Sequence, residues 1–425
     1  MSSTSPTVPG QPRRHDIDAL RVLAFAVLIL YHTGMFYVAD WGWHIKSAYL
    51  AEWLQWLMLA VNPWRMSLLF LISGLAVNFL LRGSGGAGFA RDRLKRLLLP
   101  LLFGMAVVVP PQAYLQALSN GAFDGNYLQF LLHYFTFRPW PPGAFDGSDI
   151  GITWNHLWYL PYLLAYSLLL TALLPLLDSR AGHALRDWFR GLRGWRLWLL
   201  PVLPLAAATW LLAGRFPSTH DLIHDWHNHA IYLPTFLFGY WIGADAGLWA
   251  ELRRCRWWLL GAAVATFAAF LALLVGTGPD SGSELAWAAY AFARRLNSWT
   301  WILLVLAWGH HLLNRPFRWL PYASQAVYPW YVLHQTITVV AGYGLAKLSL
   351  GPIAEPLLVV AITVAGCLLI TEYLVRRVRV LRPLFGMKAG NAAGQARHGL
   401  APGHERIGGG TTGQPGSAIA ARESR

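Results

Sequence analysis

The chain has 425 residues, 56% of them hydrophobic and only 13% charged, with a mean hydropathy of +0.39. That balance excludes an ordinary soluble domain, whose charged share is nearer a quarter, and indicates an all-α polytopic integral membrane protein. The formal charge of +14 does not point to nucleic acid, because Lys and Arg fall in short clusters between apolar runs, as cytoplasmic loops of membrane proteins do.

In chain order, residues 1–16 form a cytoplasmic N-terminal segment without the short apolar core and small-residue cleavage site of a signal peptide. Apolar runs long enough to cross a bilayer are expected at 17–38, 63–82, 97–118, 156–177, 197–213, 230–248, 257–276, 292–313, 319–346 and 355–375, about ten spans. Residues 47–61 add a tryptophan-rich apolar helix, placed at the outer interface or as the first arm of a bent second helix, because Asn62-Pro63 follows it. With both termini cytoplasmic, all of the 34 Lys and Arg face inward except Lys46, Arg65, Arg138, Arg215, Arg294, Arg295 and Lys347. The membrane domain is therefore expected over 17–387, with a Gly-, Ala- and Ser-rich disordered cytoplasmic tail over 388–425. Outside the membrane, 119–153 is broken by Gly and Pro and is expected to cover a site, and 215–229 carries His220, His224, His227 and His229. Cys255 and Cys367 provide neither a disulfide framework nor a thiolate metal site.

Ionisable residues inside these runs are costly and tend to face a bundle interior or a wet cavity. In the stretch IDALRVLAFAVLILYH, Arg21 and His32 lie about three helical turns apart on one face, and Asp18 falls close to the same stripe. Asp18 and Arg21, three apart, form a local ion pair. Arg65, at the outer start of the second span, is expected at the depth of His32 and in the same cavity; Ser73 and Gly74 lie about 12 Å deeper, where small residues permit close helix approach. Arg294 and Arg295 break the charge rule at the outer end of the eighth span and point to an anionic ligand. His334 sits within the ninth span, and His156 and Trp158 open the fourth at the outer face. His220 and His224 have a helical metal-ligand spacing, but no acid stands between them as in a zinc-hydrolase motif, and no metal is expected.

The run IDALRVLAFAVLILYH, then RMSLLFLISG, RDRLKRLLLP, NHLWYLPYLL and QAVYPWYVLHQT, resembles the membrane acyltransferase-3 family, nearest its branch that modifies periplasmic glucans; the likeness covers most of 16–340. The resemblance implies a ten-helix core that moves acyl groups from cytoplasmic acyl-CoA to carbohydrate hydroxyls, mostly at the outer face. By position it makes Arg21, His32 and Arg65 catalytic, and Arg93, Arg96 and Ser73 donor-binding. Asp18, His156, Trp158, His334, Arg294 and Arg295 would contact the acceptor or support the site. It implies no tightly bound cofactor, acyl-CoA as donor substrate, a carbohydrate or glycolipid acceptor, and a place in the inner membrane of a bacterium.

These residue types suit the reaction. A hydroxyl attacking a thioester needs a base with a pKa near neutrality, a histidine role, and a cation or donor where oxyanion charge develops. Whether His32 acts as base or is itself acylated stays open at this level. Arg93 and Arg96, facing the cytoplasm, match the phosphates of coenzyme A. The competing reading is a transporter or flippase of a glycan or glycolipid, but the chain shows no paired half-chain symmetry.

Overall fold

A computed structural model describes residues 14–243, 245–276 and 282–387. Most of the expected N-terminal segment and the whole expected tail from 388 lie outside the described residues. Among the described residues the chain is helical, with only one isolated bridge, Val38 to Ala51, in place of a sheet. The helices are α1 (His15–Tyr37), α2 (Leu54–Arg93), α3 (Leu99–Phe103), α4 (Pro110–Ser119) and α5 (Tyr127–Tyr134). There follow α6 (Tyr159–Leu177), α7 (Arg180–Arg190), α8 (Trp195–Leu199), α9 (Val202–Leu212) and α10 (Trp226–Ile242). The last are α11 (Ala246–Gly276), α12 (Glu284–Leu313), α13 (Leu320–Leu345), α14 (Ala354–Leu369) and α15 (Leu381–Leu384).

Six of these stretches are long and apolar enough to cross a membrane: His15–Tyr37, Leu54–Leu81, Asn155–Leu177, Trp195–Leu212, Ala246–Gly276 and Ala354–Val375. A bent pair, Gly85–Val108 with Pro110–Ser119, makes up to seven. The chain is thus a multi-pass membrane protein. The expected straight span at 97–118 is instead bent by 41°, because Pro110 has no amide hydrogen to continue the ladder, and wide π-type turns at Leu94–Leu98 and Gly104–Val108 precede the bend. The second span starts earlier than expected: α2 runs through Pro63 from Leu54 and makes residues 47–61 partly its own first arm, and it breaks only at Gly85, whose φ of 65° suits a residue without Cβ. The helices α10, α12 and α13 stand where spans were expected but are less apolar, because they bury Asn228, Arg295, Asn297, Thr300, His334 and Gln335 in the interior.

The first helix, α1, packs on α2, α12 and α13. Its N-terminal end is tied to α12 by the fully buried Asp16, which accepts hydrogen bonds from Arg14 at 2.9 and 2.7 Å and from His310 Nδ1 at 2.7 Å. The sequence reading singled out Asp18; the deeper acid is Asp16. The closest helix crossing joins α2 to α10. A Cβ on Gly74 would run into the Phe236 carbonyl, one on Gly239 into the Leu71 carbonyl, and one on Gly243 would stand 3.1 Å from the Leu75 oxygen. The backbones touch directly, as small-residue crossings in membranes do. Gly239→Ala forces the pair apart and is expected to cost about 1–3 kcal/mol. Thermal unfolding in detergent checks this, and a wild-type midpoint would refute it.

The segment 119–153 has its own small core of Phe130, Tyr134, Trp140, Ala144 and Phe145, begun by a capping box between Asn126 and Gln129. It is fastened by Asp146, which lies 3.2 Å from His44 Nδ1 and beside Gln116. Burial raises the Asp146 carboxyl, but hydrogen bonds from His44 and Gln116 outweigh it and hold it below the usual value. A depressed carboxyl supports this contact above the ordinary Asp range and releases it only as pH falls through the lowered value.

Candidate active site

A cavity of about 270 Å³ opens between α1, α2, α6, α10, α12 and α13. Its wall includes His32, Arg65, His156, Trp158, Arg294 and Arg295, so the structure gathers six of the expected site residues in one place. The reason is helical: His32 points in from α1 and Arg65 from the adjoining face of α2, at the depth their spacing along the chain implied.

His334 stands behind His32. Its Nε2 is 2.8 Å from His32 Nδ1, and the two rings are coplanar within 5° at 5.1 Å between centres, the separation of an in-line N–H···N bond and not of face stacking. The proton can be placed from the partners. His334 Nδ1 faces the carbonyl oxygens of Tyr331 at 2.8 Å and Trp330 at 3.1 Å, so it carries hydrogen and donates. Its Nε2 must then accept, His32 Nδ1 must donate, and His32 Nε2 is left with a free lone pair on the side of the cavity. His334 has no exposed surface, which removes water as an alternative partner. His156 is fixed in the same way: Nε2 donates to the Val332 carbonyl at 3.1 Å.

Arg65 is held by two residues that sequence reasoning did not select. Its guanidinium carbon lies 3.5 Å from the centre of the Tyr31 ring, and Nη1 donates to the Asn62 carbonyl at 3.4 Å; Asn62 in turn donates to the Tyr31 hydroxyl at 2.6 Å. Its Nε is buried without a hydrogen-bond partner. Arg295 donates to Thr209 at 2.7 Å and Arg294 to the Tyr290 hydroxyl at 3.2 Å. Among the described residues, no carboxylate lines this cavity beside its three guanidinium groups, so it favours an anionic or anion-forming guest.

The remaining expected residues lie elsewhere. Arg21 is not in the cavity wall: eleven residues of helix, about 16 Å, separate it from His32, and it pairs with Asp18 at 3.5 Å. Arg93 and Arg96 also lie outside the wall, and Ser73 touches it only through Tyr159, whose hydroxyl is 2.5 Å from Ser73 Oγ. No residue of 119–153 lines the cavity; Ser218, His220, His227 and Asn228 do so instead.

The histidines of that second segment are dispersed because 217–225 is not helical, so the i, i+4 argument does not apply. His220 stacks on Trp158 at 4.1 Å, and His224 pairs with Asp221 at 2.7 Å. His229 bridges the Tyr166 hydroxyl at 2.8 Å and the Leu222 carbonyl at 2.7 Å. Burial lowers the His220 imidazole, and only part of that is offset by Asp225. Among the described residues no three His, Cys, Asp or Glu side chains are placed to hold a metal.

Sequence reasoning also missed a buried amide network beside the histidines. Gln335 donates to His44 Nε2 at 2.7 Å and to Gln112 at 3.1 Å; Gln112 donates to Thr336 at 2.6 Å. Gln112 and Gln116, four apart on α4, were the available signal, since two glutamines on one face of an apolar helix demand partners.

Comparison with known proteins accounts for this arrangement. Residues 14–372 match the acyltransferase-3 family model, described as an acyltransferase domain. The chain is 22% identical over 350 residues to Glucans biosynthesis protein C of Escherichia coli strain SMS-3-5, and equally to those of strains K12 and O81 (ED1a), covering 79% of this chain and 84% of each relative. No solved structure matches significantly. With nearly all of the described chain inside the family match, and His32 and Arg65 lining one cavity, the protein belongs to the acyltransferase-3 family and is a membrane acyltransferase.

Proposed function

We propose that the protein transfers an acyl group, acetyl, succinyl or similar, from cytoplasmic acyl-CoA to a carbohydrate hydroxyl at the periplasmic face of a bacterial inner membrane. The observation that carries this reading is the free Nε2 of His32, held by His334 in the cavity that contains Arg65. The acceptor hydroxyl attacks the thioester carbonyl while its proton passes to His32 Nε2, and the tetrahedral oxyanion forms against Arg65. Collapse breaks the C–S bond. The coenzyme A thiolate takes the proton from His32, leaving an ester and a free thiol.

Topology supports the two-sided arrangement. The ten spans and cytoplasmic termini expected from the sequence would set His32 in the outer part of the membrane and Arg21, Arg93 and Arg96 near the inner surface, where their guanidinium groups suit the phosphates of coenzyme A. The name of the relatives points to a glucan acceptor. Arg294 and Arg295 beside Arg65 suit an anionic group on the acyl chain or the acceptor.

Reconstitution tests the reading. Protein in liposomes, given acyl-labelled acyl-CoA on the cytoplasmic side and oligoglucose on the other, is expected to form a sugar ester by mass spectrometry with one thiol released per ester. Label crossing the membrane with no covalent product would make the protein a transporter instead.

A further inference from the structure

The cavity ends inward on Leu28, Leu69, Tyr159 and Tyr331. Tyr159 is latched there: its hydroxyl donates to the Leu69 carbonyl at 3.1 Å and receives the Ser73 hydroxyl at 2.5 Å. Tyr331 is pinned by its own hydroxyl to the His156 carbonyl at 2.8 Å. The rings form a continuous layer, with Tyr159 6.2 Å from Tyr331 and 4.7 Å from Phe70, and Tyr331 5.2 Å from Phe25.

A second polar region lies on the inner side of that layer. Arg21 Nε and Arg93 Nη2 are buried without hydrogen-bond partners, although Arg21 also pairs with Asp18 at 3.5 Å. Unpaired buried guanidinium nitrogens are costly unless a guest supplies acceptors. So two polar regions, one with guanidinium nitrogens that lack an acceptor and one with His32, face each other across one layer of aromatic rings.

From this we infer that Tyr159 is the gate and the chain-length selector for the donor. This rests on the proposed cytoplasmic thioester donor. The phosphate-bearing carrier stays on the Arg21 and Arg93 side, and its acyl thioester reaches His32 Nε2 only when the Tyr159 ring leaves Ser73 and Leu69. The space released by that ring limits the acyl group. Tyr331 does not open, because its hydroxyl holds the turn that carries His156.

The test uses the full-length protein in nanodiscs with acetyl-, butanoyl- and hexanoyl-CoA. Removing the ring with Tyr159→Ala is expected to raise the hexanoyl-to-acetyl rate ratio by about tenfold or more, the scale of added methylenes in a fitted pocket. It is also expected to produce acceptor-free hydrolysis to free acid and thiol, as water gains the same route. Tyr159→Phe and Ser73→Ala, which loosen the latch and keep a ring, are expected to change kcat for the donor at unaltered acceptor KM. Unchanged chain-length ratios and hydrolysis in Tyr159→Ala would overturn the gate. If that variant fails to insert, unchanged donor kinetics in both latch variants would overturn it. Wild-type protein that esterifies no acceptor with any acyl-CoA would instead remove the underlying reading, and the gate with it.

Discussion

His32→Ala inserts normally and loses acyl transfer by about 10²–10⁴-fold, the usual contribution of a positioned base. The expectation follows from a single lone pair. His32 Nδ1 is committed to His334 at 2.8 Å, so only Nε2 is left to receive the acceptor proton. His334→Gln gives an informative contrast, because the glutamine amide can neither replace the ring in line nor keep both of its helix contacts to Tyr331 and Trp330. That variant keeps the base but leaves its tautomer unset, and is expected to lose activity with an altered pH profile while KM for the donor changes little. Rates of ester formation over pH 5.5–9 distinguish the two variants. Full activity in His32→Ala refutes the site.

Arg65→Ala is expected to cost about 10²–10³-fold in kcat, the effect of deleting one oxyanion donor. Arg65→Lys restores only part of it. A lysine keeps the charge but not the flat guanidinium that lies 3.5 Å over Tyr31 while reaching the Asn62 carbonyl. Tyr31→Leu should then resemble Arg65→Lys, since it removes the ring that sets the arginine in place. Steady-state kinetics with donor and acceptor varied separately decide the role. A loss confined to donor KM would move Arg65 from the oxyanion to ground-state binding.

The parts of this site legible in the sequence were those that membrane solvation makes conspicuous. His32, Arg65, Arg294 and Arg295 are expensive in an apolar run, and each lines the cavity. Arg21 is just as conspicuous, and its spacing of eleven residues from His32 implies about 16 Å of separation on the same stripe, in keeping with its pairing with Asp18 outside the cavity wall. Tyr31, Tyr159 and Tyr331 were invisible for the opposite reason: in a chain with 17 tyrosines and 23 tryptophans, a ring near a span end carries no distinguishing signal. The histidine segment misled because ligand spacing has meaning only on a helix. There the backbone turns left-handed at His220 (φ 56°) and Leu222 (φ 71°), and the side chains diverge. The bend of the third expected span was legible in Pro110-Pro111 and was outweighed by the apolarity around it.

The glycine crossing of α2 and α10 also bears on how the protein can work. Two helices whose backbones meet at Gly74, Gly239 and Gly243 have no compressible side-chain layer between them and no room to slide. They move as one beam. That beam carries Arg65 on one arm and Asn228 and Tyr232 on the other, so the distance across this part of the cavity acts as a fixed caliper through the catalytic cycle. Any opening that admits a donor or releases a product must come from the opposite jaw, where α6 presents Tyr159.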